Sequence, residues 1–526
     1  MKEGLRQSMA WLHTWAGLVF GWLLFAIWLT GTLAYFKDEI THWAHPEIPI
    51  RALDTRASLV SAQTFIDTHA ANSPHVYVNL PSQRDPVLGV RYKDPQKTGR
   101  GSFTRAMVDP QSGLEQETRE SRGGEFFYRF HFELQMGYPW GRWLASIAAF
   151  VMFFTLVSGI ITHKKIFKEF FTFRPGKAQR SWLDGHNAIG VLILPFHLMI
   201  SYSSLVIFMS MIMPASILTS YHGDSKGFFS DVYPSVPPAA ASGEKTPLMP
   251  LAELYDRARQ QWPDTRISRV ELERPKDSAP TIEFTRDDSE SVAYNYGNNL
   301  VLNAQTGAVL STARAIPVPM LIGGGFYGLH MGHFAGPLVR WLYFLGGIGG
   351  TVLIGTGLVM WLNKRQLKHA KSGVQPFELR LVEVLNLASM AGLLWAVAGF
   401  LLANRLLPVA LEARGNWEVR VFFGAWLLSL LHALCRRGRQ AWIEQLLVAA
   451  VLLAAIPLVS ALTTEHGLQR SIASGDWAMA GVDLTAFAAA LFMLWASRKL
   501  IDKGTVAKHK PALREAQAVL ESEGSR

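Results

Sequence analysis

The sequence predicts an α-helical integral membrane protein with about eight transmembrane helices, in which two α+β domains outside the membrane are inserted into a duplicated four-helix core. The 526-residue chain is 49% hydrophobic and only 17% charged, whereas a soluble domain carries about 25% charged residues. Eight stretches are apolar enough to cross a bilayer, and two long polar segments separate some of them. The first 370 residues also repeat the same motifs in the same order.

A spanning helix needs about 20 mostly apolar residues. Stretches of this kind lie at 15–36, 141–162, 187–213, 338–362, 381–403, 417–435, 441–463 and 479–497. We expect the first to be retained rather than cleaved as a signal peptide, because its apolar run is long and contains the bulky Trp15, Trp22 and Trp28.

These stretches divide the chain into nine parts. They are a first helix within 1–36, an outer domain at 37–140, a second helix at 141–162, a loop at 163–186, a third helix at 187–213, a second outer domain at 214–337, a fourth helix at 338–362, a four-helix extension at 381–500 and a tail at 501–526. Helices one to four form the predicted core.

The placement of Lys and Arg predicts the orientation of these helices. Basic residues are concentrated at 163–185, 363–380, 436–439 and in the tail, whereas the alternate connections carry few. Since cytoplasmic loops carry the excess of Lys and Arg, we expect a bacterial inner-membrane protein with both termini in the cytoplasm and both polar segments in the periplasm. This topology accounts for most of the net charge of +10, and we expect a lipid bilayer and no nucleic acid as partner.

A single cysteine, Cys435, excludes several classes of protein. A disulfide framework, a zinc site built on cysteines, an iron–sulfur cluster and a covalent CxxCH haem site all need more than one. The sequence also shows no HExxH motif, no Walker loop and no GxGxxG after a strand. We therefore expect no NAD or FAD domain in this chain.

The core contains two copies of one unit. Two of its helices open on His-x3-Gly, as His13–Gly17 and His186–Gly190. The other two helices share a second motif, in which an apolar residue is followed by His-x5-Gly and then by Arg-Trp-Leu. The histidines of its two copies are His131 and His330. Because both copies run in the same direction, they suggest a pseudo-two-fold axis along the membrane normal.

The two outer segments also share a local pattern. Helical stretches come first, at 57–68 and 251–261, and alternating strand patterns follow at 76–78, 87–92, 270–272 and 281–284. Each segment then has a turn whose glycine, Gly113 or Gly307, suits a left-handed backbone. Along the chain, each copy therefore consists of a helix, a small α+β domain, a histidine and a second helix.

On these motifs the chain resembles the PepSY-associated transmembrane family, which includes iron-regulated inner-membrane proteins and ferric-siderophore reductases. The matching stretches are 13–35, 126–165, 181–205 and 326–361, and the similarity covers about 5–370. The resemblance implies that the outer domains are PepSY-like and that a four-helix core carries two b-type haems. It does not extend to the helices at 381–500, where we see no charged motif and assign no chemistry.

Four histidines occupy matched positions in the two copies. A two-fold axis would bring His13 and His186 face to face at the cytoplasmic level, and His131 and His330 at the outer face. Haem b needs two neutral imidazoles on opposite sides of its iron. Together with the resemblance, this predicts one haem b at each pair. The alternative is that each histidine is a polar anchor at a helix end.

Two further histidines are candidate ligands. His197 lies eleven residues after His186, which on a straight helix is about 16.5 Å along the same face. It could replace His131 or His330 as a ligand, line the route between the haems, or be a buried, hydrogen-bonded histidine. His333 shares a face with His330 if that stretch is helical, and could be a ligand or face the substrate.

Other features have more than one interpretation. Six glycines between 346 and 357 suit close helix packing as well as a flat cofactor. Four cations could contact an anionic siderophore or form a solvated basic face; they are Arg84, Arg91, Lys93 and Arg105. His163 is interpreted as a cytoplasmic anchor. The remaining histidines are interpreted as surface or loop residues; they are His42, His45, His69, His75, His222, His369, His432, His466 and His509.

The resemblance implies an inner-membrane haem b reductase. Electrons from a membrane quinol or a cytoplasmic donor would arrive near His13 and His186 and reduce a periplasmic acceptor, ferric siderophore iron. A periplasmic binding protein is a further candidate partner. Two other functions stay open: a PepSY-type regulator of a periplasmic protease, and a siderophore or metal permease without redox chemistry.

Overall fold

Helices make up most of the computed structural model, and the strands form one sheet beside them. The model describes residues 4–49, 54–82, 84–94, 96, 102–163, 179–232, 247–274, 279–294, 299–311, 316–369 and 375–523. Among these residues, seven helices are long and apolar enough to cross a membrane, and a bent pair makes an eighth span if it is counted as one. The chain is thus a multi-pass membrane protein.

The helices of the core lie close to the predicted spans. They are α1 (Leu5–Ala34), α5 (Trp140–Thr162), α6 (Gln179–Leu192), α7 (Leu194–Ile207) and α13 (Pro337–His369). The extension consists of α14 (Phe377–Leu406), α15 (Arg414–Cys435), α16 (Gly438–Thr463) and α18 (Trp477–Glu523), with a short α17 (Leu468–Ala473) between the last two.

The third predicted span is not a straight helix. Helices α6 and α7 meet at Ile193 with a bend of 67°. Pro195 stands in the first turn of α7, where it has no N–H to continue the hydrogen-bond ladder of α6. The prediction of one helix over 187–213 is therefore wrong. The spacing argument that put His186 and His197 on one helical face fails with it.

Short helices connect the spans to the outer units. They are α2 (Lys37–Ala44), α4 (Glu125–Glu133), α8 (Met209–Ile212), α9 (Ala215–Ser220), α10 (Ser225–Val232) and α12 (Val318–Met331). Two of them, α4 and α12, carry His131 and His330 and directly precede the spans α5 and α13. Both lie outside the helices that are long enough to cross the bilayer.

The two outer units share one sheet. The first unit contains α3 (Thr55–His69), β1 (His75–Asn79), β2 (Leu88–Lys93) and β3 (Phe103–Val108), and the second contains α11 (Leu251–Gln261), β4 (Ile267–Glu273), β5 (Thr281–Arg286), β6 (Leu300–Asn303) and β7 (Val309–Ser311). The strand order is β3-β2-β1-β4-β5-β6-β7, and all neighbours are antiparallel. The units that we predicted as separate domains are therefore joined where β1 pairs with β4, for example Val78 opposite Val270.

One face of this sheet is buried against α3 and α11. The burial alternates along the strands, as at Val76 and Val78 in β1, and these side chains pack with Phe65 of α3 and Leu254 of α11. This alternation is typical of an antiparallel sheet with one face on a core. The opposite face is mostly polar but also carries Phe103, Met107 and Val301.

The same turn closes the sheet in both units. Asp109 accepts hydrogen bonds from the backbone N–H groups two and three residues further on, and Asn303 does so at the equivalent point. Gly113 and Gly307 then adopt φ values of 71° and 68°, in the left-handed region that glycine tolerates best. The predicted turns are confirmed.

Two histidines that we interpreted as surface residues are buried. His42 is 1% and His45 is 3% exposed, because α2 packs beneath the extension. The Nε2 atom of His42 lies 2.9 Å from an Asp476 carboxylate oxygen. This burial depends on a part of the chain that is more than four hundred residues away.

Candidate functional site

The predicted inner pair of histidines lies together, with His13 in the first half of α1 and His186 in the middle of α6. The ring centres of His13 and His186 are 6.4 Å apart, and the ring planes are inclined by 81°. The Nδ1 of His13 donates to the Thr155 carbonyl oxygen of α5 at 2.8 Å. The Nδ1 of His186 lies 2.9 Å from the Thr356 hydroxyl of α13, whose own proton is donated to the Leu353 carbonyl oxygen.

These hydrogen bonds fix the tautomer of both rings. A carbonyl oxygen only accepts, so the Nδ1 of His13 must carry the proton. The Thr356 hydroxyl has already donated its hydrogen, so it accepts from the Nδ1 of His186 in the same way. A neutral imidazole protonated at Nδ1 keeps a lone pair on Nε2. Both rings are thus prepared to bind a metal ion through Nε2.

The supports of the two inner histidines have matching positions in α5 and α13. Thr155 lies thirteen residues after Arg142, and Leu353 lies thirteen residues after Arg340. Four residues beyond each carbonyl is a glycine next to the ring: a Cβ on Gly159 would lie 3.0 Å from the His13 ring, and one on Gly357 would lie 3.5 Å from the His186 ring. His13 thus bonds a backbone carbonyl directly, whereas His186 bonds a side-chain hydroxyl that itself donates to the carbonyl at the matching position.

The predicted outer pair also lies together. The ring centres of His131 and His330 are 6.1 Å apart with an interplanar angle of 36°. The Nδ1 of His131 donates to the Ile27 carbonyl oxygen of α1 at 2.8 Å. The Nδ1 of His330 lies 2.9 Å from the Ser203 hydroxyl of α7, which donates to the Ile200 carbonyl oxygen. The Nε2 atoms again carry the lone pairs.

The outer pair shows the same sequence spacing, although His131 bonds a carbonyl directly and His330 bonds one through the Ser203 hydroxyl. Ile27 lies fourteen residues after His13, and Ile200 lies fourteen residues after His186. The ring of His131 rests against Gly31, where a Cβ would come within 2.5 Å of its Nδ1. A side chain at position 31 would therefore displace the ring.

The spacing within each pair fits a metal ion held between two imidazoles. A metal–nitrogen bond to histidine is about 2.0 Å, and the ring centre lies about 1.1 Å behind that nitrogen, so two opposed ligands have ring centres about 6 Å apart. Along α1, the fourteen residues from His13 to Ile27 correspond to about 21 Å. The two pairs therefore lie near opposite ends of the core.

A cavity of about 1280 Å³ includes the outer pair. Its membrane end is lined by apolar side chains, among them Leu24, Met152 and Phe196, and its outer end reaches the sheet at Asn79 and Thr285. His131 and His330 lie on its wall, whereas His13 and His186 are not among its lining residues. Among the described residues, the cavity thus links the outer pair, but not the inner pair, to the outer units.

Charged side chains surround the outer part of this cavity. Arg84 pairs with Glu39 at 2.9 Å and with Asp38 at 3.0 Å, and Arg340 pairs with Glu39 at 3.0 Å. Burial raises the pKa of Asp38, but Lys37 and Arg84 outweigh it and leave that pKa below its usual value. Arg84, which we considered for anion binding, is therefore neutralised by carboxylates of the chain itself.

Asp85 next to this network has a different electrostatic environment. Burial and the negative charge of Asp38 raise the pKa of the Asp85 carboxyl to about 6. The predicted cation Arg91 lies away from the cavity, with its guanidinium 4.2 Å from the centre of the Tyr77 ring and 5.0 Å from that of Phe103.

His197 joins neither pair. It is fully buried on α7, and its ring packs edge-on against Trp28 at 5.0 Å between ring centres. Among the described residues, neither ring nitrogen has a hydrogen-bond partner of normal geometry. The interpretation as a hydrogen-bonded buried histidine therefore finds no partner within that part of the chain.

His333 does not share a helical face with His330. Helix α12 ends at Met331, and Gly332 takes a left-handed φ of 64° that turns the chain away. The condition behind our prediction is therefore not met. His333 lines the cavity instead, with its Nδ1 3.6 Å from an Asp288 carboxylate oxygen.

The glycines of α13 serve close packing. A Cβ on Gly346 would collide with Phe196, and one on Gly350 would collide with Trp28. The glycine-rich helix thus approaches α1 and α7 closely, as small residues allow in membranes.

Sequence reasoning missed the groups that orient the histidines. Thr155 and Ile27 act through backbone carbonyls, which any residue type provides, and Ser203 resembles many serines of apolar helices. The usable signal was the constant spacing of these positions from the histidines and from the two Arg-Trp-Leu motifs.

Comparisons with known proteins concern the core. The family described as the PepSY-associated TM region matches residues 10–364. An uncharacterised protein of Pseudomonas aeruginosa, PA4219, is 24% identical over 326 residues, which is 60% of this chain and 80% of that protein. The family match ends before α14, so it does not include the extension.

Proposed function

This chain belongs to the PepSY-associated transmembrane family, and we propose that it is a haem b protein of the bacterial inner membrane that moves electrons outward to reduce ferric siderophore iron in iron uptake. The observation that carries this proposal is the pair of ring-centre distances, 6.4 Å between His13 and His186 and 6.1 Å between His131 and His330. Both distances are close to the ring-centre separation of two imidazoles that share one iron, and in this way they support the proposal.

The chain's own residues would orient each ligand. His13 and His186 would hold one haem b, and His131 and His330 a second. A hydrogen bond from Nδ1 raises the basicity of a ligating histidine and fixes its ring, and all four rings have such a bond. Haem b bound at such sites supplies one-electron transfer.

The proposal includes a duplicated core. Matched carbonyls at Thr155 and Leu353, and at Ile27 and Ile200, support it, since each lies at the same distance along the sequence from its motif. In this view the outer units are two PepSY-like domains joined through β1 and β4. Both chain termini would be cytoplasmic, with the inner pair near the electron donor, a membrane quinol or a cytoplasmic protein.

The cavity would be the place where the acceptor approaches. Its volume of about 1280 Å³ exceeds the roughly 300–1,000 Å³ of common small-molecule sites. It connects the outer pair to the polar side chains of the sheet. One electron converts Fe(III) to Fe(II), which hard oxygen ligands hold far less well, so the chelate would release its iron on the periplasmic side.

A visible spectrum of the purified full chain tests the proposal. We expect a sharp Soret band, α and β bands on reduction, and two haems per chain. His186→Ala should lose about half of the bound haem and stop reduction of the acceptor, while the control His222→Ala, at an exposed position, should keep both. Colourless protein from cells well supplied with haem would contradict the proposal, and would favour a regulator or a permease.

A further inference from the structure

Helix α4 packs against two parts of the molecule, the core helix α1 and the extension. It is nine residues long, too short to be stable by itself, so its position depends on what packs against it. Its His131 donates a hydrogen bond to the Ile27 carbonyl oxygen of α1. Its Phe126, Phe127 and Phe130 are 2%, 0% and 3% exposed.

The extension buries these three phenylalanines. The Phe126 ring stacks on Phe400 of α14 with 4.5 Å between centres, and meets Phe422 of α15 at 4.9 Å. Phe127 lies 5.2 Å from Phe400, and Phe130 lies 5.6 Å from Phe422. One aromatic cluster thus joins α4 to two helices outside the family match.

Buried polar groups of the extension fix the segment that leads into α4. Glu418 of α15 accepts hydrogen bonds from the Ser121 hydroxyl and the Arg122 backbone N–H, both at 2.9 Å. Glu418 also pairs with Arg414 at 2.9 Å, and both side chains are fully buried. Arg119 donates to the Asn404 carbonyl oxygen at 3.0 Å. A sequence without an evident charged motif therefore contains a buried charged cluster.

The extension also holds α2, which touches the start of α4. The Arg405 guanidinium lies 3.7 Å from the centre of the Trp43 ring, and Asp483 accepts from the Trp43 Nε1–H at 2.9 Å. The Thr41 hydroxyl in turn accepts from the Gly124 backbone N–H at 3.0 Å. Helix α4 is thus fixed from both its preceding segment and its neighbour.

The equivalent helix in the second half has a different environment. Helix α12, which carries His330, packs on α7. Its residues Leu321 and Ile322 are 48% and 56% exposed, whereas the phenylalanines of α4 are buried. The two outer histidines are therefore supported unequally.

We propose that the C-terminal extension positions His131, by clamping α4 through Phe400, Phe422 and Glu418, and thereby sets the ligand geometry of one side of the outer pair. This inference rests on the proposed function, in which His131 is a haem ligand. Phe400 and Phe422 are positioning residues, since they act on His131 through α4 and touch neither ring of the pair.

The test compares Phe400→Ala/Phe422→Ala with Leu387→Ala in the full chain. Leu387 is on α14 as well and is 2% exposed, but belongs to a different cluster. Hydrogen exchange followed by mass spectrometry should show the amides of 125–133 exchanging about tenfold faster or more in the double variant, with those of 318–331 unchanged. The low-spin haem signal that His131→Ala removes should change in the double variant, and the other haem signal should not. The conservative variant Phe400→Leu should keep most of the slow exchange at 125–133 and most of the original haem signal.

Each outcome decides the inference. Unchanged amide exchange at 125–133 in the double variant overturns the inference whether or not haem is present. An equal change in both haem signals also overturns it, and so does an equally large increase in exchange at 125–133 in the control Leu387→Ala. Faster exchange at 125–133 in a chain that holds no haem would support the clamp on α4 and refute the proposed function. If the double variant does not fold, the single Phe422→Leu variant is measured in the same way, with a smaller change in the same direction expected.

Discussion

The inner and outer histidine pairs have nearly the same spacing but are built differently. His13 lies on the spanning helix α1 and His186 on α6, the first part of the bent pair, and the spans α5 and α13 accept their Nδ1 hydrogen bonds. His131 and His330 lie on short helices outside the spans and line the cavity. The comparison teaches that a similar pairing of histidines occurs at two levels of the core, and that among the described residues the cavity reaches His131 and His330 but not His13 and His186.

Replacing one histidine from each pair has the largest expected effect and tests this division. His13→Ala and His131→Ala should each lose about half of the bound haem, because each removes one ligand of one pair. Reduction of an external ferric chelate should fall about 100-fold in both. The haem left in His131→Ala should react slowly with a membrane-impermeant oxidant, since the inner pair is away from the cavity.

Haem per chain and stopped-flow oxidation rates provide the measurements. His466→Ala, between α16 and α17, is the matched control and should behave as the unmodified chain. If the haem retained by His13→Ala and by His131→Ala reacts equally fast with the impermeant oxidant, the proposed difference between the two levels is wrong.

Glycine substitutions sharpen the same comparison. Gly31→Ala should displace His131, because a Cβ there would lie 2.5 Å from the ring, and overpacking of this kind costs about 1–3 kcal/mol. Gly357→Ala should be tolerated, because its Cβ would be at an ordinary 3.5 Å from His186. Thermal unfolding and haem content check both variants. Equal losses in the two would contradict the tight fit at the outer ring.

A bulky side chain at the outer end of the cavity should affect large acceptors only. Thr285 lines the cavity, whereas Thr281 lies on the same strand and the same sheet face outside it. Thr285→Trp should slow reduction of a ferric siderophore about tenfold and leave ferricyanide reduction unchanged, while Thr281→Trp should alter neither. Equal slowing of both acceptors by Thr285→Trp would count against the cavity as the approach route.

The smallest expected effect concerns the pH dependence of stability. With a pKa raised to about 6, Asp85 keeps a proton in the folded chain that an unfolded chain releases near pH 4. Its stabilising contribution is complete below about pH 4 and is lost as the pH rises through about 6. Asp85→Asn should therefore reduce the loss of unfolding free energy between pH 4 and pH 7 by about 1 kcal/mol. Unfolding midpoints measured across this pH range check it. An unchanged slope would show that Asp85 titrates normally.

The sequence alone predicted the features that depend on local composition. Apolar runs located the spans, and the repeat of histidine motifs at 13, 131, 186 and 330 selected the residues whose rings lie close together in two pairs. Repeats are informative here because the same backbone geometry must hold each copy. The haem at these pairs remains a prediction.

The features that escaped prediction depend on distant parts of the chain. The bend before Pro195 interrupts an apolar run that reads continuously, so hydropathy gives no sign of it. The pairing of β1 with β4 joins strands almost two hundred residues apart. His42 is buried where α2 packs on the extension, and there it contacts Asp476. Each of these results from packing between elements, which a local pattern does not encode.

Low-temperature electron paramagnetic resonance of the purified, oxidised full chain, combined with its haem content, tests the central claim most directly. Two low-spin bis-imidazole haem signals and two haems per chain are the predicted result, with one signal removed by His13→Ala and the other by His330→Ala. Absence of both signals in protein from haem-supplied cells, or their survival when His13, His131, His186 and His330 are all replaced by alanine, would contradict it.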